Sequence, residues 1–96
     1  MDKFDELKQN SKKVWANFAP LEHITGTAAP RLIKFSGIAS TNKVLDVACG
    51  TGVVGLTAAR LGATVIGADL TPELIDRARE NSAIFGLNVD FYESDV

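Results

Sequence analysis

The sequence lacks three features that would each define a class of protein. Its single cysteine, Cys49, can form no disulfide within the chain, which fits a reducing cytoplasm. No run approaches the ~20 apolar residues of a membrane span, and the charged N-terminus does not have the pattern of a signal peptide. Ten basic residues against twelve acidic ones give a net charge of −2 and no basic stripe for phosphates. We therefore predict a cytoplasmic protein with no membrane or nucleic-acid partner.

The most informative stretch is the run from Lys43 to Gly55, KVLDVACGTGVVG. Its first residues predict a buried apolar strand, which is followed by a turn containing Gly50 and Gly52. A helical period begins at Val53. Both glycines let the backbone turn sharply and keep side chains out of the way of a ligand. Asp46 is a carboxylate inside the apolar strand, and it needs a partner because an unpaired buried charge is costly.

The rest of the chain from residue 43 onward alternates helices and strands. We predict a helix over Val53–Leu61, a strand over Ala63–Ala68, a helix from Thr71 to Phe85 and a strand over Val89–Glu93. Right-handed crossovers then give an α/β fold with a parallel sheet in the order 3-2-1 and helices on its faces. This is half of a doubly wound Rossmann-like sheet.

Two helices are predicted before the first strand. Residues 2–18 form an amphipathic helix whose apolar stripe is interrupted by a serine; the stripe contains Phe4, Leu7, Val14, Trp15 and Phe18, with Ser11 in the gap. Core or lid packing is the expected role of Trp15 and Phe18. A second helix spans Thr25–Ser36, with Pro30 in its first turn. The predicted organisation is an N-terminal helical segment at 1–42 and a ligand-binding half-domain at 43–96.

The predicted sheet ends where the second half of a doubly wound fold would begin. Its first strand would be an open apolar edge, which invites pairing with another chain. We therefore expect a fragment of a longer protein, and self-association through this edge if the fragment folds alone.

Two ligand classes compete for the glycine turn. Gly50, Gly52 and Gly55 match the pattern GxGxxG, and Asp69 follows Gly50 by 19 residues, the spacing of an acid that bonds the ribose of NAD. However, Asp46 would repel a pyrophosphate at this turn. S-adenosylmethionine has an ammonium and a ribose but no phosphate, so Asp46 would attract it.

Three segments together resemble the class I S-adenosylmethionine-dependent methyltransferases, in particular the small-molecule enzymes similar to those of ubiquinone and menaquinone biosynthesis. The segments are VLDVACGTG, VIGADLTPELIDRAREN and FYESDV, and they span residues 43–96. The resemblance implies S-adenosylmethionine as cofactor, a small-molecule methyl acceptor, and methyl transfer by in-line displacement. It also implies that the remaining strands and much of the acceptor site would follow Val96.

The resemblance also assigns cofactor contacts to positions of this sequence. Asp46, Ala48, Gly50 and Gly52 match the residues around the methionine part. Asp69 matches the ribose-binding acid, Leu70 packs on the adenine, and Asp95 meets the adenine amino group with Val96 beside it. Cys49 is predicted to be a small turn residue that shapes the pocket, because no base nearby would activate it. No metal site is predicted.

One position departs from the family. The fuller motif has glycine where this chain has Ala48, and we expect a mild effect because this residue would still lie in the strand. No catalytic residue is assigned, although Trp15, Phe18 and His23 precede the strand in a region that could approach the acceptor.

Other interpretations stay open at the level of sequence. The chain could be part of an NAD-dependent oxidoreductase, or a non-enzymatic half-fold that assembles through its open edge. Asp69 also fits the role of a helix-entry acid before Thr71, and Asp95 that of a plain turn aspartate.

Overall fold

The computed structural model describes residues 2–17 and 22–95. In chain order the elements are α1 (Lys3–Ala16), α2 (Glu22–Ser36), β1 (Lys43–Val47), α3 (Val53–Arg60), β2 (Thr64–Asp69), α4 (Pro72–Ile84) and β3 (Asp90–Glu93). Phe18, Val96 and the side chain of His23, which the sequence analysis singled out, lie outside the described residues.

The three strands form one parallel sheet in the order β1-β2-β3, which confirms the predicted order. Asp46 of β1 is level with Gly67 of β2, and Asp69 of β2 is level with Glu93 of β3. Because all three strands run in the same direction, their carboxyl ends meet at one edge of the sheet. This edge positions the functional site.

Most of the hydrophobic core lies on one face of the sheet. Val65 and Phe91 on this face are 4% exposed, α3 and α4 pack against it, and α2 packs on α3. The prediction of a buried first strand is therefore wrong, and the predicted helices that pack on the sheet cover one of its faces. The opposite face carries four apolar side chains that are 41–63% exposed, namely Leu45, Val47, Ile66 and Tyr92. They are exposed because α3 and α4, which pack on the sheet, lie on its other side.

The second helix begins earlier than predicted, at Glu22 rather than Thr25. Pro30 consequently lies in the helix interior instead of the first turn. Its missing N–H costs one backbone hydrogen bond, which is offset by burial of Ala29 and Ile33, 1% and 3% exposed, within the same helix. Among the described residues, no helix has the length and apolar character needed to cross a membrane.

The first helix differs most from its expected packing. Its N-terminus is capped by Asp2 and Asp5 in a reciprocal capping box. However, none of its residues is buried. Trp15 is 52% exposed, so a core role for this side chain is wrong.

Candidate functional site

A cavity of about 570 Å³ opens at the carboxyl edge of the sheet. Its wall contains seven of the nine residues that the sequence analysis assigned to the cofactor: Asp46, Ala48, Cys49, Gly50, Asp69, Leu70 and Asp95. The parallel register explains the convergence, since each of the three aspartates lies at or near the carboxyl end of a different strand. Gly52 is not part of the wall, and Val96 lies outside the described residues.

Asp46 has found a partner within the protein. Its Oδ2 accepts a hydrogen bond from the backbone N–H of Gly55 at 3.0 Å, in the first turn of α3. The capping position of that helix is Gly52, which has no side chain to bond the free N–H groups, so Asp46 supplies this acceptor from the neighbouring strand. Desolvation raises the pKa of Asp46, and the charge of Asp69 adds to this, while the bond from Gly55 opposes it.

Asp69 holds two backbone segments together. It is 9% exposed, its Oδ2 accepts from the N–H of Gly50 at 2.9 Å, and its Oδ1 accepts from the N–H of Thr71 at 2.9 Å. The second bond is the helix-entry role that the sequence left open. Each carboxylate oxygen has two lone pairs, so Asp69 retains the capacity to accept bonds from ligand hydroxyls in the cavity.

Asp95 meets a cation from the other end of the chain. The Nζ of Lys8, on α1, donates to Oδ2 of Asp95. This ion pair raises the pKa of Lys8, first through the hydrogen bond and then through the charge of Asp95. The two residues are 87 positions apart, and no periodicity in the sequence connects them.

The two glycines of the turn have different roles. Gly50 has φ +57°, and a Cβ added there would meet no atom within 4 Å. Gly52 has φ +86°, and its added Cβ would lie 2.9 Å from Cζ of Phe91 and 3.3 Å from Cβ of Ala78. The absence of a side chain at Gly50 therefore leaves space open beside the turn, whereas at Gly52 it permits packing of the core.

Ala48 adopts a conformation that the sequence analysis did not anticipate. The strand ends at Val47, so the expectation that Ala48 still lies in the strand is wrong. Its φ is +56°, the only positive value outside glycine in the described part of the chain. A residue with a Cβ is strained there by about 1–2 kcal/mol, which gives a physical reason for glycine at this position of the motif.

Cys49 is not suited to nucleophilic chemistry. It is 9% exposed, and burial, assisted by the charges of Asp46 and Asp69, raises the pKa of its thiol to about 12. The thiol is therefore protonated at neutral pH, whereas the thiolate is the reactive form. Its Sγ lies 3.1 Å from where a Cβ on Gly67 of β2 would be, so the side chain packs against the sheet.

Several residues of the cavity wall were missed by sequence reasoning. They are Ser11, Thr25, Thr51, Val53, Val54, Thr71, Leu74 and Ser94, and Trp15 was named for core or lid packing or an approach to the acceptor, not as a cofactor residue. Ser11 did leave a signal, because it interrupts the apolar stripe of α1. The position of α1 over the cavity follows from tertiary contacts and has no local signature.

Comparison with known proteins places the chain in a family. The profile described as a methyltransferase domain matches residues 44–96. An uncharacterised protein from Mycobacterium tuberculosis is 42% identical over 94% of this chain, and the chain spans 34% of that protein's length. The chain thus spans about one third of the length of this and similar mycobacterial relatives.

Solved structures share the fold. An RNA methyltransferase from Salinibacter ruber, determined in complex with S-adenosyl-L-homocysteine, has a TM-score of 0.69 and 28% identity over 72% of this chain and 47% of its own. A structure from the study of a disulfide-to-thioacetal conversion in echinomycin biosynthesis has a TM-score of 0.60 and 38% identity over 67% of this chain and 27% of its own. These matches favour S-adenosylmethionine over the NAD alternative. The chain belongs to the methyltransferase domain family, and its fold is that of the class I S-adenosylmethionine-dependent methyltransferases.

Proposed function

We propose that residues 43–96 are the first half of an S-adenosylmethionine-binding domain in a methyltransferase that acts on a small-molecule acceptor. The observation that carries this proposal is the convergence of Asp46, Asp69 and Asp95 on one cavity beside the Gly50 turn. The preceding helices α1 and α2 form a helical segment, and α1 contributes to the same cavity.

The chemistry of the cavity wall fits this cofactor. Its volume lies within the ~300–1,000 Å³ that small-molecule sites occupy. Three carboxylates would repel the pyrophosphate of a dinucleotide, but they suit a ligand that presents an ammonium, ribose hydroxyls and an adenine amino group. A methyl group at Gly50 would project into the space that such a ligand needs.

Each residue would have a defined task. Asp46 would attract the ammonium while its bond to Gly55 keeps the carboxylate in place. Asp69 would accept from the ribose hydroxyls, Leu70 would pack on the adenine, and Asp95 would accept from the adenine amino group. The cofactor would supply a methyl group on a positively charged sulfur for in-line displacement. Alignment and exclusion of water are then the main contributions of the protein.

Two acceptor classes have support, and we favour the small molecule. The similarity to an RNA methyltransferase makes RNA the second candidate. Against it stand the net charge of −2 and the three acids at the cavity, since nucleic-acid binding relies on cations that neutralise phosphates.

RNA binding by this chain is expected to be absent or weaker than about 10⁻⁴ M at physiological salt, the weak limit of non-specific binding. Fluorescence anisotropy of a labelled ribosomal RNA fragment, titrated with the chain at two salt concentrations, measures it. A micromolar dissociation constant that rises steeply with salt would make RNA the preferred acceptor.

Replacing Asp46 by asparagine tests the cofactor assignment. The amide oxygen of Asn can still accept the bond from Gly55, so only the charge is lost. We expect S-adenosylhomocysteine to bind about 10- to 100-fold more weakly, the value of a charge-assisted hydrogen bond. Adenosine has no ammonium, so its affinity is expected to stay unchanged. Calorimetric titration of both ligands into wild type and Asp46→Asn measures the difference.

Acidic pH should have the same effect as this substitution. The pKa of Asp46 is raised, so its ammonium-binding form is lost as pH falls through that raised value, and affinity for S-adenosylhomocysteine should fall while that for adenosine does not. Equal losses for the two ligands in Asp46→Asn would contradict the assignment of Asp46 to the ammonium. Saturable binding of NAD alone would overturn the cofactor itself.

A further inference from the structure

One face of α1 is directed at the cavity. Lys8, Ser11, Lys12 and Trp15 recur at the spacing i, i+3, i+4, i+7, which places them on one side of a helix. Ser11 and Trp15 belong to the cavity wall. Lys8 donates to Asp95, and Nζ of Lys12 lies 3.8 Å from Oε1 of Glu93. The helix therefore crosses the cavity with a lysine anchored on either side of Ser11.

Little apolar burial holds this helix in position. None of its residues is buried, and Phe4, Leu7 and Val14 are 75%, 56% and 53% exposed. Of the two acids that it contacts, Glu93 ends β3 and Asp95 follows it, and their side chains are 51% and 58% exposed. Besides its packing against α4, α1 is therefore joined to the end of β3 by two ion pairs.

We propose that α1 is an electrostatic lid on the cofactor cavity, and that Lys8 and Lys12 are positioning residues that hold Trp15 over it by pairing with Asp95 and Glu93. That the lid covers a cofactor rests on the proposed function, whereas the docking of the helix does not. Because exposed ion pairs are weakened by salt, the lid should open as ionic strength rises. Asp95 also couples docking of α1 to binding of the cofactor. The carboxylate that pairs with Lys8 through Oδ2 is the one expected to accept from the adenine amino group.

The chain offers a matched set of variants that leaves the predicted cofactor residues untouched. Lys12→Glu and Glu93→Lys each break the second ion pair, and the double exchange Lys12→Glu/Glu93→Lys restores it with reversed polarity. Lys13→Glu is the control, because it makes the same charge change on the same helix at a residue that forms no ion pair within the described chain.

Fluorescence of Trp15, the only tryptophan, reports the lid in the absence of ligand. We expect the acrylamide quenching constant to rise about twofold in Lys12→Glu and in Glu93→Lys, to return to the wild-type value in the double exchange, and to stay unchanged in Lys13→Glu. The wild-type constant should also rise with salt. Equal quenching in Lys12→Glu and Lys13→Glu, or no restoration in the double exchange, would overturn the proposed docking.

Ligand dissociation tests the role as a lid. The rate at which S-adenosylhomocysteine leaves should rise about two- to fivefold in each single variant, the value of one exposed ion pair, and return to the wild-type rate in the double exchange. If Trp15 quenching returns to the wild-type value in the double exchange but the dissociation rate does not, α1 docks through the ion pairs without acting as a lid. If wild type binds no S-adenosylhomocysteine, the proposed function fails and the quenching series still decides whether the ion pairs hold α1.

Discussion

Replacing Asp69 by alanine is expected to lower the free energy of unfolding by about 2–3 kcal/mol and to weaken S-adenosylhomocysteine binding at least tenfold. The substitution removes the acceptor of two backbone N–H groups, those of Gly50 and Thr71. Thr71 is 2% exposed, so its N–H would lose its partner without access to water, at a cost of about 1–3 kcal/mol. Gly50 lines the cavity, where its N–H can bond to water, so the loss of its hydrogen bond to Asp69 should cost less.

The loss of affinity has two sources. The ribose hydroxyls would lose their acceptor, and the turn at Gly50 would lose the bond that fixes it against the end of β2. Urea unfolding and calorimetric titration on the same preparation measure the two effects separately.

Two further variants make the result specific. Asp69→Asn keeps one accepting oxygen and presents an N–H₂ donor to the other N–H, so its stability should lie between those of wild type and Asp69→Ala. Asp90→Ala removes the same charge from an exposed position at the start of β3 and should change neither quantity. Wild-type stability in Asp69→Ala would show that the two bonds do not hold the turn, and unchanged affinity would remove Asp69 from the site.

The behaviour of Asp69 shows why part of this site could be predicted from the sequence. Its spacing from Gly50 and its place at the end of an apolar run are local features, and the parallel order of the strands follows from the alternation of helices and strands. Together they bring the strand ends to one edge. The three acids therefore converge in the structure without any contact having been predicted.

The partners of these acids were less predictable. The sequence indicates that Asp46 needs a partner, but the N–H of Gly55 could not be chosen over a ligand ammonium, since both are donors near the same turn. Lys8 and Asp95 are joined across 87 positions by an ion pair, and ion pairs between exposed residues leave no periodicity. The exposure of Leu45 and Val47 depends on which helices cover the sheet, which a strand pattern does not encode.

Replacing Gly52 by alanine is expected to lower the free energy of unfolding by about 2–5 kcal/mol. A residue with a Cβ at φ +86° costs about 1–2 kcal/mol. The added methyl group would also lie 2.9 Å from Cζ of Phe91 and 3.3 Å from Cβ of Ala78. Both neighbours are buried, 4% and 0% exposed, so neither can move away freely, and overpacking of this kind costs about 1–3 kcal/mol.

Gly50→Ala is the matched variant, because it introduces the same methyl group two residues earlier at φ +57° with no atom within 4 Å. Only the backbone strain applies, so the loss of stability should be about 1–2 kcal/mol, but the methyl group would enter the cavity and reduce affinity for S-adenosylhomocysteine at least tenfold. Thermal unfolding should show the larger loss of stability in Gly52→Ala, and titration should show the larger loss of affinity in Gly50→Ala.

In Gly52→Ala, a second change of Phe91→Leu should cost less than the sum of the two single changes, since the smaller side chain makes room for the methyl group. Strict additivity would mean that Phe91 does not limit the turn, and a larger loss of affinity in Gly52→Ala than in Gly50→Ala would reverse the roles assigned to the two glycines.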